Sequence, residues 1–249
     1  MIADDKRVKL LGVKIDALTM EETLERCDEV IRDGGYAQHM AINAAKLVSL
    51  RDDDRLRSIV NGCDLINADG QAVVWASRVL GAPLPERVAG IDLMMRLVAL
   101  AEDREWPVYF LGAKADILER AVTRLRAEHP RLHVAGYRDG YFSADEAGAV
   151  CEAIRASGAK ILFVAMSTPQ KEYFLGEYGP GLQIPFVMGV GGAIDVVAGV
   201  ARRAPRAWQR LGLEWLYRLL QEPRRMFGRY ARTNSRFLWL VARERVARR

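Results

Sequence analysis

Short apolar runs alternate with longer segments of helical periodicity over most of the chain. Runs of adjacent aliphatic and β-branched residues predict strands at 8–15, 37–42, 63–67, 107–111, 132–136, 161–166 and 185–189. Apolar residues three and four positions apart predict helices at about 44–60, 70–80, 91–104, 115–128, 144–157 and 169–178. A further helix is predicted from Thr19, an N-cap with Glu22 as its capping-box partner, to about Arg32.

This alternation predicts the fold class. Strands separated by helical segments are typical of βαβ units. The run ILFVAM at 161–166 lacks polar alternation, which indicates a strand buried on both faces and hence a parallel sheet. We therefore expect an α/β fold that is Rossmann-like, with a mostly parallel sheet and helices on both of its faces.

The last part of the chain has a different pattern. From Ala204 onwards there is no strand-like run, and Pro205 and Pro223 each start a helical pattern. In the second pattern five arginines recur at helical spacing within an arc of about 60° on a helix. These five residues, called the arginine stripe below, are Arg225, Arg229, Arg232, Arg236 and Arg243.

Charge divides the chain near residue 201. Residues 1–201 hold 23 Lys and Arg against 29 Asp and Glu, whereas residues 202–249 hold 14 Arg, no Lys and three Glu. We therefore predict a Rossmann-like domain over 1–201 and a basic amphipathic helical appendage over 202–249.

The basic appendage admits three interpretations. Its arginines could form a solvated helix face, since charged faces are ordinary on surface helices. Arginine without lysine favours contacts with phosphates, and together with bulky apolar residues it is typical of a helix that lies in an anionic membrane surface. Nucleic acid is the third partner considered. The acidic body and the lack of a nucleic-acid motif disfavour it, so we predict an anionic membrane and no nucleic acid.

Several classes of protein are excluded by what the sequence lacks. The N-terminus has no secretory signal pattern, and no stretch is apolar enough to predict a membrane span. The three cysteines are far apart without a CxxC motif, so a reducing cytoplasm fits and a disulfide framework does not. The histidines have no metal-ligand spacing, and no Ser-His-Asp pattern with a nucleophile elbow occurs. The GVGG turn at 189–192 lacks the full GxGxxG spacing, so it supports NAD binding only weakly.

Polar residues and glycines follow nearly every predicted strand. Ligands of an open parallel sheet bind outside the carboxyl ends of its strands, so these segments are expected to share one cleft. The segments are Asn43, 68–70, 112–114, 139–141, 167–172 and 189–192.

Two carboxylates in these segments are candidates for chemistry. Asp69 lies directly after a strand, where it could take a proton from a hydroxyl, or it could equally be the N-cap of the helix at 70–80. Asp195 follows the GVGG turn and could hold a ribose hydroxyl or cap a helix.

These segments, in this order, resemble the WecG/TagA/CpsF family of bacterial glycosyltransferases. The longest matches are NADGQAVVWASRVLGAPLPERVAGIDL at 67–93 and GLEWLYRLLQEPRR at 212–225. Shorter ones are AINAAKL, FLGAK, GYRDGYF, STPQKE, GVGGAIDVVAG and RRAP.

The resemblance implies an enzyme on the cytoplasmic face of the cell membrane. It would move a sugar from a UDP-sugar to a saccharide on polyprenyl diphosphate, with inversion and without a required metal or other cofactor. It also implies a Rossmann-like catalytic domain and an appendage that helps to close the site.

The resemblance also assigns roles to residues. Asp69 matches the general base, and Asn43 matches a residue that positions the sugars. Arg218 and Arg225 match appendage arginines that would stabilise the charge of the departing diphosphate or hold the lipid diphosphate. Separately from the resemblance, Arg229, Arg232 and Arg236 of the arginine stripe are predicted to meet the membrane or a diphosphate. The segments expected around the donor supply Gly112, Lys114, Gly140, Tyr141, Gln170, Lys171, Gly191, Gly192 and Asp195.

The chain departs from the family pattern at three places. Ala41 replaces a threonine, Gln170 and Lys171 stand in the opposite order to the common PKQE, and Gly228 and Arg229 replace a pair of arginines. The first two leave the donor sugar open between N-acetylmannosamine, its uronate, glucose and other hexoses.

Two other functional classes stay open at this point: a nucleotide-dependent oxidoreductase, and a non-catalytic adaptor for membrane or nucleic acid. A homo-oligomer is also left open.

Overall fold

A six-stranded parallel sheet forms the centre of the molecule. The computed structural model describes residues 6–221 and 223–248, except for the side chains of Arg210, Arg218, Arg225, Met226 and Arg229. Every neighbouring pair in the sheet is parallel, in the order β4-β3-β8-β7-β5-β6, which confirms the predicted α/β fold. The strands are β3 (Ala37–Ile42), β4 (Leu65–Ala68), β5 (Val108–Gly112), β6 (Val134–Arg138), β7 (Ile161–Ala165) and β8 (Phe186–Gly189).

Helices cover both faces of this sheet, as the uninterrupted apolar strands predict. One face packs against α1 (Met20–Arg32), α5 (Gly90–Asp103), α6 (Ala115–Glu128) and α9 (Ala193–Val197). The opposite face packs against α2 (Ala44–Ser49), α3 (Asp54–Asn61), α4 (Gln71–Val79), α7 (Ala147–Ala156) and α8 (Gln170–Tyr178). The predicted capping box of α1 is confirmed, because Thr19 accepts from the Glu22 N–H while the Glu22 carboxylate accepts from the Thr19 N–H.

Two predicted elements are each divided in the structure. The single strand predicted at 8–15 is wrong: β1 (Arg7–Leu10) and β2 (Val13–Asp16) form an antiparallel hairpin whose turn places Leu11 and Gly12 at positive φ. The segment predicted as one helix at 44–60 forms two helices in the structure, α2 and α3. The break follows because Asp53 leaves the helical conformation and its carboxylate caps α3 by accepting from the Leu56 N–H.

Three described helices follow α9 toward the C-terminus. Helices α10 (Arg206–Arg210) and α12 (Pro223–Ala247) start at or next to the two prolines that predicted them, and α11 (Glu214–Gln221) lies between them. Helix α12 packs against α2 and buries Phe237, Leu240 and Val241 in the same apolar cluster as the hairpin. The division into a catalytic domain and an appendage stays a prediction, but α12 shares its core with the residues before 201.

The strand order creates a crevice at one edge of the sheet. Strands β3 and β8 are neighbours, yet the chain leaves β3 toward α2 on one face and β8 toward α9 on the other. Side chains from the two connections therefore diverge above the sheet, and this is where ligands of such folds bind.

Candidate functional site

A cleft of about 1600 Å³ occupies the crevice. The segments that follow all six strands line it, so the structure brings the predicted polar segments together. The predicted site residues among its lining are Asn43, Asp69, Lys114, Gly140, Tyr141, Gln170, Lys171, Gly191, Gly192 and Asp195. Residues of α11 and α12 form a further wall, including Glu214, Trp215, Tyr230, Asn234 and Phe237.

Asp69 stands half-buried where β4 ends. Its Oδ1 accepts from the Gly90 N–H at the start of α5, with 2.9 Å between nitrogen and oxygen. Its own N–H donates to the Ile42 carbonyl at 2.8 Å. The alternative that Asp69 caps the following helix is wrong, because the N-cap of α4 is Gly70 and no side chain caps it. Among the described residues, the Asp69 Oδ2 has no hydrogen-bond partner, so this oxygen is available to a ligand.

Asn43 has a structural task as well as a place on the cleft. It is the N-cap of α2, and its Oδ1 accepts from the Lys46 N–H at 3.0 Å. The amide oxygen is thereby oriented by the helix. Within the described part of the chain the Nδ2 group has no partner, so the donor side of this amide is the part that can meet a ligand.

Two of the four glycines expected around the donor, Gly112 and Gly140, are required by close packing. Gly112 has φ 121°, and a Cβ there would lie 2.5 Å from the carbonyl carbon of Ala165. Gly112 itself is not part of the cleft lining, but a Cβ at Gly140 would lie 3.0 Å from its Cα, so the two loops are in contact. Asp195 lies in the first turn of α9, whose N-cap is Gly192 without a side-chain cap, so Asp195 is not the cap of this helix.

A cluster of three buried charges lies at the bottom of the cleft. Lys46, Lys171 and Glu172 are each less than a tenth exposed, and Lys46 and Lys171 line the cleft. The Glu172 Oε1 lies 2.8 Å from the Lys46 Nζ and 2.5 Å from the Lys171 Nζ. Thr168 joins the cluster because its hydroxyl accepts from the Lys171 ammonium at 2.5 Å and donates to the Glu172 Oε1 at 3.1 Å.

Burial and neighbouring charge act on the pKa values of this cluster. Burial, together with the nearby Lys46 ammonium, lowers the pKa of Lys171 to about 8. Burial alone would raise the pKa of Glu172, but the Lys46 and Lys171 ammonium groups outweigh it and hold that pKa below its ordinary value. Sequence reasoning missed Lys46 and Glu172, although both lie in segments that carry the resemblance. The lysine within the apolar run AINAAKLV was the available signal.

A second network of charges ties the C-terminal helices to the body beside the cleft. Arg203 donates to both carboxylate oxygens of Asp92, at 2.5 and 2.7 Å. Glu214 accepts from Arg87 and also from Arg203 at 3.4 Å. The Asp92 carboxylate raises the pKa of Arg203 above its ordinary value, and burial only partly opposes this. Arg87, Arg203 and Glu214 line the cleft, and sequence reasoning missed all three as site residues.

The arginine stripe lies away from the cleft where its side chains are described. Arg236 donates to both carboxylate oxygens of Asp52, at 2.5 and 2.6 Å, and Arg243 stacks over the ring of Trp239. Arg232 is exposed. Neither Arg232 nor Arg236 lines the cleft. The predictions for Arg218, Arg225 and Arg229 fall on side chains outside the described residues.

The described residues contain neither a cluster of metal-ligating side chains nor a membrane-spanning helix. No group of three or more His, Cys, Asp and Glu side chains there is placed to hold a metal ion. His39 is buried away from the cleft; burial lowers its pKa to about 4, and its Nε2 pairs with the Asn67 Oδ1. Among the helices of residues 6–221 and 223–248, none is both long and apolar enough to cross a bilayer.

The sheet and its cleft define a Rossmann-like α/β protein whose cleft lies outside the carboxyl ends of the strands, where ligands of such folds bind. The model of the family described as "Glycosyl transferase WecG/TagA/CpsF family" matches residues 8–249. The chain belongs to this family and is a glycosyltransferase, which acts on a sugar donor and an acceptor. This match excludes the two other functional classes that the sequence left open, an oxidoreductase and a non-catalytic adaptor.

Proposed function

We propose that this chain is an inverting, metal-independent enzyme that moves a hexose or N-acetylhexosamine from a UDP-sugar to a saccharide on polyprenyl diphosphate. Its product would be an intermediate of a bacterial cell-surface polysaccharide. The observation that carries the proposal is the Asp69 carboxylate, which stands on the cleft with Oδ1 held by the Gly90 N–H and Oδ2 open. A fixed carboxylate with one free oxygen is suited to act as a general base.

The reaction in this proposal is a single displacement. Asp69 takes the proton of the acceptor hydroxyl while its oxygen bonds to the anomeric carbon of the donor. The bond between that carbon and the β-phosphate oxygen breaks, and the electron pair stays on UDP. Attack opposite to the leaving group inverts the anomeric centre, as in inverting glycosidases, where water takes the place of the acceptor.

The charges around the cleft support a diphosphate leaving group. Arg87, Lys114, Lys171 and Arg203 all line it, and the negative charge that develops on the departing diphosphate is stabilised by cations that are already in place. The resemblance adds Arg218 and Arg225 to this set.

A donor screen tests the proposal. The full chain is incubated with UDP-glucose, UDP-N-acetylmannosamine and other UDP-sugars, together with a short-chain polyprenyl-diphosphate saccharide, and UDP release is measured. We expect acceptor-dependent release from at least one donor, a product of inverted anomeric configuration by NMR, and unchanged turnover in EDTA. No release from any UDP-sugar would reject the donor class. A retained configuration would reject the single displacement, and loss in EDTA restored by a metal would reject metal independence.

The proposal includes a peripheral position on the cytoplasmic face of the membrane. On the described part of α12 two exposed apolar side chains accompany the arginine stripe: Trp239 is 56% exposed and Val246 is 71% exposed. They are seven residues apart and therefore share one face of the helix. Apolar side chains next to arginines are the combination that binds an anionic membrane surface.

Replacing both residues, Trp239→Ser with Val246→Ser, should weaken binding to anionic vesicles by about tenfold or more, because two membrane-inserting side chains are lost. The measurement is flotation with vesicles of phosphatidylcholine and phosphatidylglycerol. Tyr137→Ser is the control, since Tyr137 is an exposed aromatic residue on β6 and not on α12. Equal flotation of the double variant and the unaltered chain would contradict a role for this helix face.

A further inference from the structure

The buried cluster under the cleft holds more positive than negative charge. It contains the ammonium groups of Lys46 and Lys171 and the single carboxylate of Glu172. Lys46, Lys171 and Thr168 all contact the Glu172 Oε1. The buried Glu172 Oε2 has no partner among the described residues. Lys46 also donates to the sulfur of Met40, a weak acceptor.

One ammonium of this cluster is therefore uncompensated. Lys46 and Lys171 share the single carboxylate of Glu172, so the cluster carries one net positive charge that no second carboxylate in it balances. Burial of an unpaired charge costs several kcal/mol, so buried charges in proteins are paired or bind an ion of opposite sign. The Lys171 ammonium has three N–H donors, and the described structure uses two of them, toward Thr168 and Glu172. Because Lys171 lines the cleft, an anionic ligand is the partner that this arrangement lacks.

The position of Lys171 along the edge of the sheet indicates which kind of anionic ligand it would bind. The strand order places Asp69, after β4, at one side and the glycine loops of β5 and β6 at the other. Lys171 lies between them, under the end of β8. Its Cε is 3.0 Å from the place that a Cβ of Gly189 would take, so the glycine leaves room for the lysine stem.

We propose that the Lys171 ammonium binds the diphosphate of the nucleotide-sugar donor, and that Glu172 and Lys46 are positioning residues that hold it under the cleft. This inference rests on the proposed function. With the sugar beside Asp69 and the nucleoside over β5 and β6, the diphosphate crosses β8 and β7, where Lys171 stands. When the bond from the anomeric carbon to the β-phosphate oxygen breaks, Lys171 faces the charge that develops on UDP, while the acceptor proton goes to Asp69.

Binding of UDP and of uridine, measured by titration calorimetry on the full chain, tests the inference. Lys171→Gln should weaken UDP binding by about 10- to 100-fold, the usual range for a charge-assisted hydrogen bond, and leave uridine binding unchanged. Lys171→Arg keeps the charge and should retain more UDP affinity than Lys171→Gln. The control is Lys160→Gln, which should bind UDP like the unaltered chain. Lys160 is exposed and directly precedes β7, at the end of the strand that is away from the cleft.

The pH profile is a second measurement that needs no variant. As the pH rises through about 8 the free Lys171 loses its proton, so UDP affinity should fall above that pH by up to about tenfold per pH unit. Lys171→Gln should lack this fall. The charged groups that face Lys171 are Glu172 on its own helix and Lys46 from α2, and Glu172 stays ionised throughout this range.

Each outcome separates this inference from the proposed function. If the unaltered chain does not bind UDP, the proposed function fails first. If it binds UDP and Lys171→Gln binds it equally well, with no alkaline fall, the inference alone is overturned. Weaker binding confined to a UDP-hexuronate, with UDP unaffected, would assign the lysine to a sugar carboxylate and also overturn it. A purely structural ion pair would lower the melting temperature of Lys171→Gln and weaken uridine and UDP binding alike.

Discussion

Replacing Asp69 with Asn should lower turnover by about two to four orders of magnitude, the usual contribution of a general base. The amide of Asn keeps an oxygen that can accept from the Gly90 N–H, so the local structure is retained. It cannot take a proton from the acceptor hydroxyl at neutral pH. Because Asp69 is assigned to the proton and not to the nucleotide, UDP affinity should stay nearly unchanged. The measurement is UDP release at saturating donor and acceptor, with UDP titration alongside.

Asp116→Asn is the matched control for this variant. Asp116 is an exposed carboxylate in the first turn of α6, at the same edge of the sheet, and it does not line the cleft. It should turn over like the unaltered chain. Turnover of Asp69→Asn within a few-fold of the unaltered chain would remove Asp69 from the mechanism, even if the family assignment stands.

The second large effect concerns the last helix. Phe237→Ala should lower the free energy of unfolding by about 3–5 kcal/mol, the usual cost of deleting a buried aromatic ring. Phe237 is only 4% exposed and belongs to the apolar cluster that the hairpin, α2, α3 and α4 also form. It lines the cleft as well, so looser packing of α12 should reduce turnover together with stability. Denaturant unfolding and the UDP-release assay measure the two effects.

Phe227→Ala provides the comparison within the same helix. Phe227 is 67% exposed, so its removal should change stability by no more than about 0.5 kcal/mol, as for most surface substitutions. Equal and small losses in both variants would mean that α12 does not share the core of the molecule. That result would favour the appendage as a separable unit, as the charge boundary near residue 201 predicts.

Local pattern was sufficient to predict most elements. The strand at 37–42 and the helix at 115–128 have the predicted bounds, and the Thr19 capping box is present. Both exceptions depend on backbone turns. The hairpin turns at Leu11 and Gly12 within an apolar run, and Asp53 interrupts a helical pattern by capping α3. Apolar periodicity continues across such turns, so it does not reveal them.

The sequence predicted those residues of the candidate site that directly follow a strand. In a parallel sheet all carboxyl ends lie at one edge, which is why Asn43, Asp69 and Asp195 were expected together. The missed residues act through pairs that are distant in the sequence. Lys46 meets Glu172, Arg87 meets Glu214, and Arg203 meets Asp92, each across more than a hundred positions.

By itself the amino-acid sequence determined the kinds of elements, the edge of the sheet on which chemistry is expected, the basic C-terminal helices and the family resemblance. These properties reside in local periodicity, in residues that follow strands and in contiguous motifs. Only the tertiary structure decided the strand order, the partner of the Asp69 carboxylate and the net positive charge of the buried cluster of Lys46, Lys171 and Glu172. They depend on which distant segments pack together and exclude water, because burial makes a charge costly and selects its partner.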